Sequence, residues 1–375
     1  MKAHPLDHGF YPSAYSLRMT GEELFNQLLT LERKRSERTG DPFVLMILDV
    51  TRLNGSAPPE RIGHISSAIR VHTRDTDVLG WYKYPSAVGT LFTTLRNAER
   101  HAVESALALK TDKALRSVLE ADEMKQVDIS FHFYPEEIDT DKPSYKSDER
   151  LYPDVKRHDR SHPVSSALKR SMDVAGSLFA LLLFSPLFLV ISVLIKLTSP
   201  GPVLFRQRRI GKFGREFTFL KFRTMRVNND PEIHRQYVQN LIRQKAENNA
   251  PAGSDKPVYK IVNDPRVTPV GAFLRKTSLD ELPQFLNVLK GEMSLVGPRP
   301  PIPYEVAAYR AWHRRRVIEV KPGITGLWQV YGRSRTTFDE MVRLDLRYVQ
   351  QQSLLLDLKI ILRTPFAVLS TKGAW

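Results

Sequence analysis

The sequence predicts an α/β domain followed by a mainly α region built around a membrane helix. Three observations carry this. Between about Thr20 and Glu137, apolar runs of strand length alternate with stretches of helical spacing. Val174 to Leu197 is one long apolar run, and about 20 such residues cross a bilayer. From Ser199 onward, amphipathic stretches alternate with dense Pro/Gly turns. A length of 375 residues fits two domains.

In the first part, Glu22 to Arg38 carries Leu24, Leu28 and Leu31 at helical spacing. Phe43 to Asp49 is an unbroken apolar run ending in an acid, as a buried strand would be. Ile62 to Val71 reads as a second helix, and Asp77–Gly80 with Ala87–Phe92 as a hairpin. Ala98 to Leu109 is helical. Val127 to Phe133 alternates, with Val127, Ile129, Phe131 and Phe133 on one face. The polar, proline-bearing stretch that follows reads as a linker. The expected division is a domain over 1–140, a linker over 141–165, a membrane helix over 166–200 and a further region over 201–375. In the last region the helical candidates are Pro231–Ala246, Leu282–Lys290, Tyr304–Val317, Thr337–Gln350 and Ser353–Ser370.

The apolar run is broken near its middle by Ser185-Pro186, and an interior proline kinks a helix. Both flanks are basic: Lys169 and Arg170 before it, Lys196 and Arg206 to Arg209 after it. Basic flanks lie on the cytoplasmic side, and a spanning helix cannot place both there. A helix that bends at Ser185-Pro186 and returns can, each half being ~12 residues or ~18 Å long. Composition alone leaves this beside an ordinary span with a tolerated proline.

The formal charge of +15 points to an anionic partner: phosphorylated substrate, membrane surface or nucleic acid. Between Leu151 and Arg226, 14 Lys and Arg face four acids, so most of the excess lies around the apolar run. The chain has no cysteine, which excludes disulfides, thiolate zinc sites and cysteine nucleophiles. Met1-Lys2-Ala3-His4-Pro5 is polar, and no secretory signal peptide is expected. Neither a Walker loop nor a Rossmann fingerprint is present, which argues against P-loop kinases and NAD enzymes.

The chemistry-bearing run is Lys276-Thr277-Ser278-Leu279-Asp280-Glu281-Leu282-Pro283-Gln284. Its bland reading is a capping box, with Ser278 as N-cap and Glu281 reaching back from N3. Pro283 fits that reading poorly. The other reading is catalytic, since an Asp can attack phosphorus to give an acyl phosphate and its neighbour can serve as base or metal ligand. A carboxylate approaching a diphosphate needs cations. Candidates are Lys221, Arg223, Arg275, Arg299, Arg333 and Arg335. Each alone reads as a solvated charge, but Arg275 lies just before the acids and Arg299 sits in a rigid proline turn. Guanidinium forks suit phosphate, and Mg2+ is the expected counter-ion for a diphosphate beside carboxylates.

Lys169 to Trp375 resembles the bacterial sugar transferase family, the monotopic phosphoglycosyl transferases. The matching pieces are Lys169-Arg170-Ser171-Met172-Asp173, the run broken at Ser185-Pro186, Gly201–Gln207 and Lys221-Phe222-Arg223-Thr224-Met225. They continue with Leu274–Gln284, Ser294–Pro300, Lys321–Val330 and Gly332-Arg333. The resemblance implies a re-entrant membrane helix bent at Ser185-Pro186. It implies Asp280 as nucleophile toward the β-phosphate of a UDP-sugar, releasing UMP, and polyprenyl (undecaprenyl) phosphate as the acceptor. Glu281 would take the acceptor's proton, and Mg2+ would sit at Asp280. Lys221, Arg275, Arg299, Arg333 and Arg335 would bind phosphate. It implies the cytoplasmic face of the bacterial inner membrane and the first membrane step of exopolysaccharide or other cell-surface glycan synthesis. A hexose such as glucose or galactose fits the company this subfamily keeps, and a homodimer is compatible with it.

The first domain resembles a degenerate diguanylate-cyclase (GGDEF-like) domain through Leu48-Asp49-Val50, Ile69-Arg70, Thr73–Val78 and Gly80. Tyr82-Lys83-Tyr84-Pro85-Ser86 replaces the signature loop, so a structural or sensory role is expected rather than cyclase activity. The competing class is a membrane-attached nucleotide-sensing scaffold without transferase activity. A nucleic-acid binder is disfavoured, because basic residues do not interleave with stacking aromatics.

Overall fold

The computed structural model describes residues 19–53, 59–93, 95, 99–137, 147–161, 163–227, 235–236, 242, 266–332 and 336–369. Two compact units divide the chain. One runs to Glu137 and includes Asp148–Arg157; the other holds the residues from His158 onward.

The first unit is α/β. Helix α1 (Glu22–Thr39) ends at Gly40, whose φ of 80° lets its N–H turn back to Ser36. Then come β1 (Phe43–Asp49), α2 (Pro59–Val71), β2 (Val78–Lys83), β3 (Ala87–Phe92), α3 (Arg100–Arg116), α4 (Ala121–Met124) and β4 (Asp128–Tyr134). The sheet order is β2-β3-β1-β4, with every neighbouring pair antiparallel. The unbroken apolar run of β1 belongs to a central strand covered on both faces. Val44, Met46 and Leu48 meet Ile62, Ile65 and Ile69 of α2 and Leu115 of α3. On the hairpin, Gly80 pairs with Gly89 and Phe25 of α1 lies on the bare patch. A Cβ at Gly89 would come within 2.5 Å of the Phe25 ring.

The stretch expected as a linker is partly structured. Residues 138–146 lie outside the described residues, but Glu149–Leu151 forms a 3-10 turn and Pro153–Ser161 forms α5. Buried Arg33 holds this segment. It forks onto Asp154 at 2.9 and 2.7 Å, donates to Leu151 O at 3.0 Å and lies 4.4 Å from the Tyr152 ring centre. A pairing across 121 residues leaves no trace in local composition.

The second unit opens with α6 (Pro163–Leu183) and α7 (Ser185–Thr198), which meet at a bend of 60°. The break falls on Phe184, so Pro186 occupies the first turn of α7, where its missing N–H costs nothing. No single described helix is long and apolar enough to cross a membrane. Then follow the hairpin β5 (Leu204–Ile210) and β6 (Glu216–Phe222), α8 (Pro269–Thr277), α9 (Gln284–Lys290) and β7 (Ser294–Val296). The chain continues through α10 (Pro303–Ala307), α11 (Ala311–Ile318), β8 (Gly323–Thr325, parallel to β7), α12 (Phe338–Gln351) and α13 (Leu354–Leu369).

This region is therefore mainly helical but carries two small sheets. The hairpin escaped the sequence reading because Arg206, Arg208 and Arg209 read as a basic flank. The helix expected over Tyr304–Val317 is two helices, parted at Ala308–Arg310. The helix expected over Pro231–Ala246 lies almost wholly outside the described residues. The main core joins Phe219, Val288, Val296, Leu327, Tyr348 and Ile360. A smaller cluster of Ile191, Ile195, Phe222, Leu274 and Leu282 packs α7 against the residues around Asp280.

Candidate active site

Asp280 and Glu281 lie on a 3-10 turn, Leu279–Glu281, between α8 and α9. Thr268 caps α8 by accepting the Gly271 N–H at 3.0 Å, with Pro269 at the first position. Thr268 N–H reaches Thr224 O at 3.0 Å, just past β6. The approach is so close that a Cβ on Gly271 would lie 2.0 Å from that oxygen.

Helix α8 stops at Ser278, which is left-handed at φ 57° and ψ 17°. A non-glycine residue held there costs roughly 1–2 kcal/mol, and such strain concentrates at functional sites. This overturns the capping box. Ser278 ends α8 and leads directly into the 3-10 turn, and its side chain makes no cap bond. Pro283, the residue that fitted poorly, takes the position before α9 with φ −61°. The acids therefore sit on a 3-10 turn beside Lys221 and Arg299 rather than in the first turn of α9.

Strand β6 supplies the first cation. Its position against the acidic turn is fixed by Asn287 of α9, which is fully buried. Its side chain accepts from Leu220 N–H at 3.1 Å and donates to Thr218 O at 2.7 Å. Lys221 projects next to Leu220, with its ammonium 5.3 Å from the Phe205 ring centre. Burial pushes this ammonium down to about 8; the Asp280 charge opposes that shift, while Arg209 and Arg299 reinforce it. Arg299 supplies the second cation, with Nη1 3.1 Å from Glu281 Oε1. Burial alone would lower its pKa; the charge and hydrogen bond of Glu281 outweigh burial and hold it above the ordinary value.

The structure thus brings together Asp280, Glu281, Lys221 and Arg299. Arg275 stands half-buried on the last turn of α8 and forms no ion pair among the described residues. Arg333 and Arg335 lie outside the described residues. No cluster of three or more His, Cys, Asp or Glu is present among the described residues. Asp280 and Glu281 offer two adjacent carboxylates, the kind of donor that holds Mg2+ where phosphate and water complete its shell.

The sequence profile described as "Bacterial sugar transferase" matches residues 164–371, more than half the chain. The chain belongs to the bacterial sugar transferase family. As a member it is a transferase. It is 43% identical over 213 residues to the exopolysaccharide production protein ExoY of Rhizobium meliloti, covering 57% of this chain and 90% of that one. It is 43% identical over 207 residues to the galactosyl transferase CpsE of Streptococcus agalactiae, covering 55% and 43%. It is 41% identical over 219 residues to the UDP-glucose:undecaprenyl-phosphate glucose-1-phosphate transferase of Escherichia coli, covering 56% and 42%. The chain thus spans less than half the length of the last two relatives. A GGDEF domain of DgcB from Caulobacter crescentus, solved with c-di-GMP, matches 31% of this chain and 71% of that one at 14% identity. Its TM-score of 0.25 carries no assignment for the first unit.

Several residues of this transferase site were missed by sequence reasoning. Asn287 was only one position in the helix expected over Leu282–Lys290. Arg209 was read only as part of a basic flank and Arg316 only as a position in the helix expected over Tyr304–Val317, yet they are 6% and 2% exposed. The family motif Lys169–Asp173 read as a membrane flank but also clamps the unit. Lys169 pairs with Asp357 at 2.6 Å, Arg170 donates to Val288 O and Leu289 O at the end of α9, and Asp173 accepts from Ser294 and Leu295.

Proposed function

We propose that the chain transfers a sugar phosphate from a UDP-sugar to polyprenyl (undecaprenyl) phosphate, releasing UMP. The observation that carries this reading is an acid pair on a strained turn, with Asp280 within electrostatic reach of the Lys221 ammonium and Glu281 ion-paired to Arg299. A carboxylate oxygen of Asp280 attacks the β-phosphorus. The bond to the bridging oxygen breaks, and UMP leaves with the electron pair. The acyl phosphate then holds the sugar phosphate until an oxygen of the lipid phosphate attacks the same phosphorus and frees Asp280. Glu281 accepts the proton carried by the lipid phosphate. Lys221 and Arg299 offset the negative charge that brings carboxylate and diphosphate together. In this reading Arg275, Arg333 and Arg335 also bind phosphate. Mg2+ bound through Asp280 would neutralise diphosphate charge.

The donor is a UDP-hexose such as UDP-glucose or UDP-galactose, in keeping with the names of the relatives. Placement on the cytoplasmic face of the bacterial inner membrane is supported by the 60° bend between α6 and α7 and by their outward leucines, including Leu182 and Leu197 at 77% and 78% exposed. Contiguous apolar surface of this kind marks a membrane or protein contact. The test is UMP release with a panel of UDP-sugars and polyprenyl phosphate. Release that depends on both substrates and is lost in Asp280→Asn supports the reading. No release with any donor would leave the scaffold alternative standing.

A further inference from the structure

The Pro298-Arg299-Pro300-Pro301 segment contains one backbone N–H in four residues, because proline has none. It cannot build a ladder of its own. Yet its four consecutive carbonyls are each taken by a donor from another element. Gly323 N–H donates to Pro298 O and Ile210 N–H to Pro301 O, both at 2.9 Å. The two carbonyls between them go to guanidinium groups. Arg316 Nη2 donates to Arg299 O at 3.0 Å, and Arg209 Nη1 donates to Pro300 O at 2.6 Å.

Both guanidiniums are buried, and a buried cation is costly unless it is paired and hydrogen-bonded. Arg316 meets Asp345 at 2.7 Å and the Tyr309 hydroxyl at 3.2 Å. Arg209 bonds Gln207 at 3.0 Å and lies 5.0 Å from the Phe219 ring centre. A planar guanidinium that makes several bonds at once fixes direction better than a single amide does. Two such groups are applied to the main chain at, and just after, the residue that reaches Glu281.

We propose that Arg209 and Arg316 are positioning residues for Arg299: they hold the backbone of the proline turn so that the Arg299 guanidinium stays on Glu281. This rests on the transferase reading above. Acting through Arg299, they touch no substrate. Their loss lets the turn relax, and a displacement of about 1 Å at a catalytic group costs on the order of 100-fold in rate.

The test is a double-mutant cycle on kcat for UMP release by the full chain, with Arg209→Met, Arg299→Met and the pair. Arg209→Met is expected to lower kcat about 10- to 100-fold. Arg209→Lys, which keeps one donor, recovers part of that loss. In the Arg299→Met background the Arg209 change costs no more than about threefold further, as coupled residues do. For Arg316 the same cycle uses Arg316→Met with Asp345→Asn, so that no buried carboxylate is left unpaired. Losses that multiply in the double mutant, or an Arg209→Met variant as active as the parent, would overturn the proposal. A parent chain that releases no UMP refutes the transferase reading instead. Hydrogen exchange of the peptide containing Gly297–Ile302 then decides: faster exchange in Arg209→Met upholds the positioning role, and unchanged exchange overturns it.

Discussion

Lys221 connects burial to substrate charge most directly. Burial brings its ammonium down to about 8, so it is a cation below that pH and neutral above it. Its folded pKa lies below the ordinary lysine value, so protons leave it earlier in the folded chain than in the unfolded one. A diphosphate needs the cation. The KM for UDP-sugar should therefore rise as pH climbs through about 8, and Lys221→Arg should move that rise to higher pH; KM measured from pH 7 to 10 checks both. Arg299→Lys should lower kcat by about 10-fold or more, because one ammonium replaces a fork that spans Glu281 and phosphate. Asp280 and Glu281 were legible as a pair, and Arg299 stood out by its proline frame. What lay hidden was their support. A capping-box pattern was present in Ser278–Glu281, but tertiary packing put Ser278 into a left-handed turn that local sequence does not announce.

At the scale of elements, long-range side chains decide what periodicity leaves open. The strands of the first unit were readable because their apolar runs are unbroken or alternate cleanly. The β5–β6 hairpin was not, since its exposed residues include Arg206 and Arg208 and the side chain that ties β6 to α9, Asn287, lies 67 residues away. Asn287→Ala should leave the Leu220 N–H and Thr218 O without partners and cost about 2–4 kcal/mol, read as a lower denaturant midpoint. In the first unit, Asp154→Ala takes the bidentate partner from the buried Arg33 guanidinium, leaving it Leu151 O and the more distant Glu37, and should cost about 3 kcal/mol. Proteolysis should then open the Asp148–Arg157 segment first, although composition marks this stretch as a linker.

At the scale of the molecule, the second unit presents apolar surface that a folded chain in water does not leave open without a partner. Leu178, Phe179, Leu182 and Leu183 on α6 and Leu189, Val190 and Leu197 on α7 are exposed, and α13 adds Leu355, Leu362 and Phe366. The sequence displayed the apolar run and its break. The 60° bend follows from Phe184 leaving the helix so that Pro186 can start a new one. If this surface meets one leaflet, cysteines placed at the exposed positions Ser166 and Lys196 should both react with an impermeant reagent from the cytoplasmic side only. The proposed transfer turns, however, on Asp280 as a covalent carrier. Mixing the chain with UDP-hexose and no lipid acceptor, then quenching and mapping peptides by mass spectrometry, tests that most directly. The expected result is one hexosyl phosphate on Asp280, discharged by polyprenyl phosphate and absent from Asp280→Asn. Undiminished UMP release by Asp280→Asn, or an adduct on another residue, would contradict it.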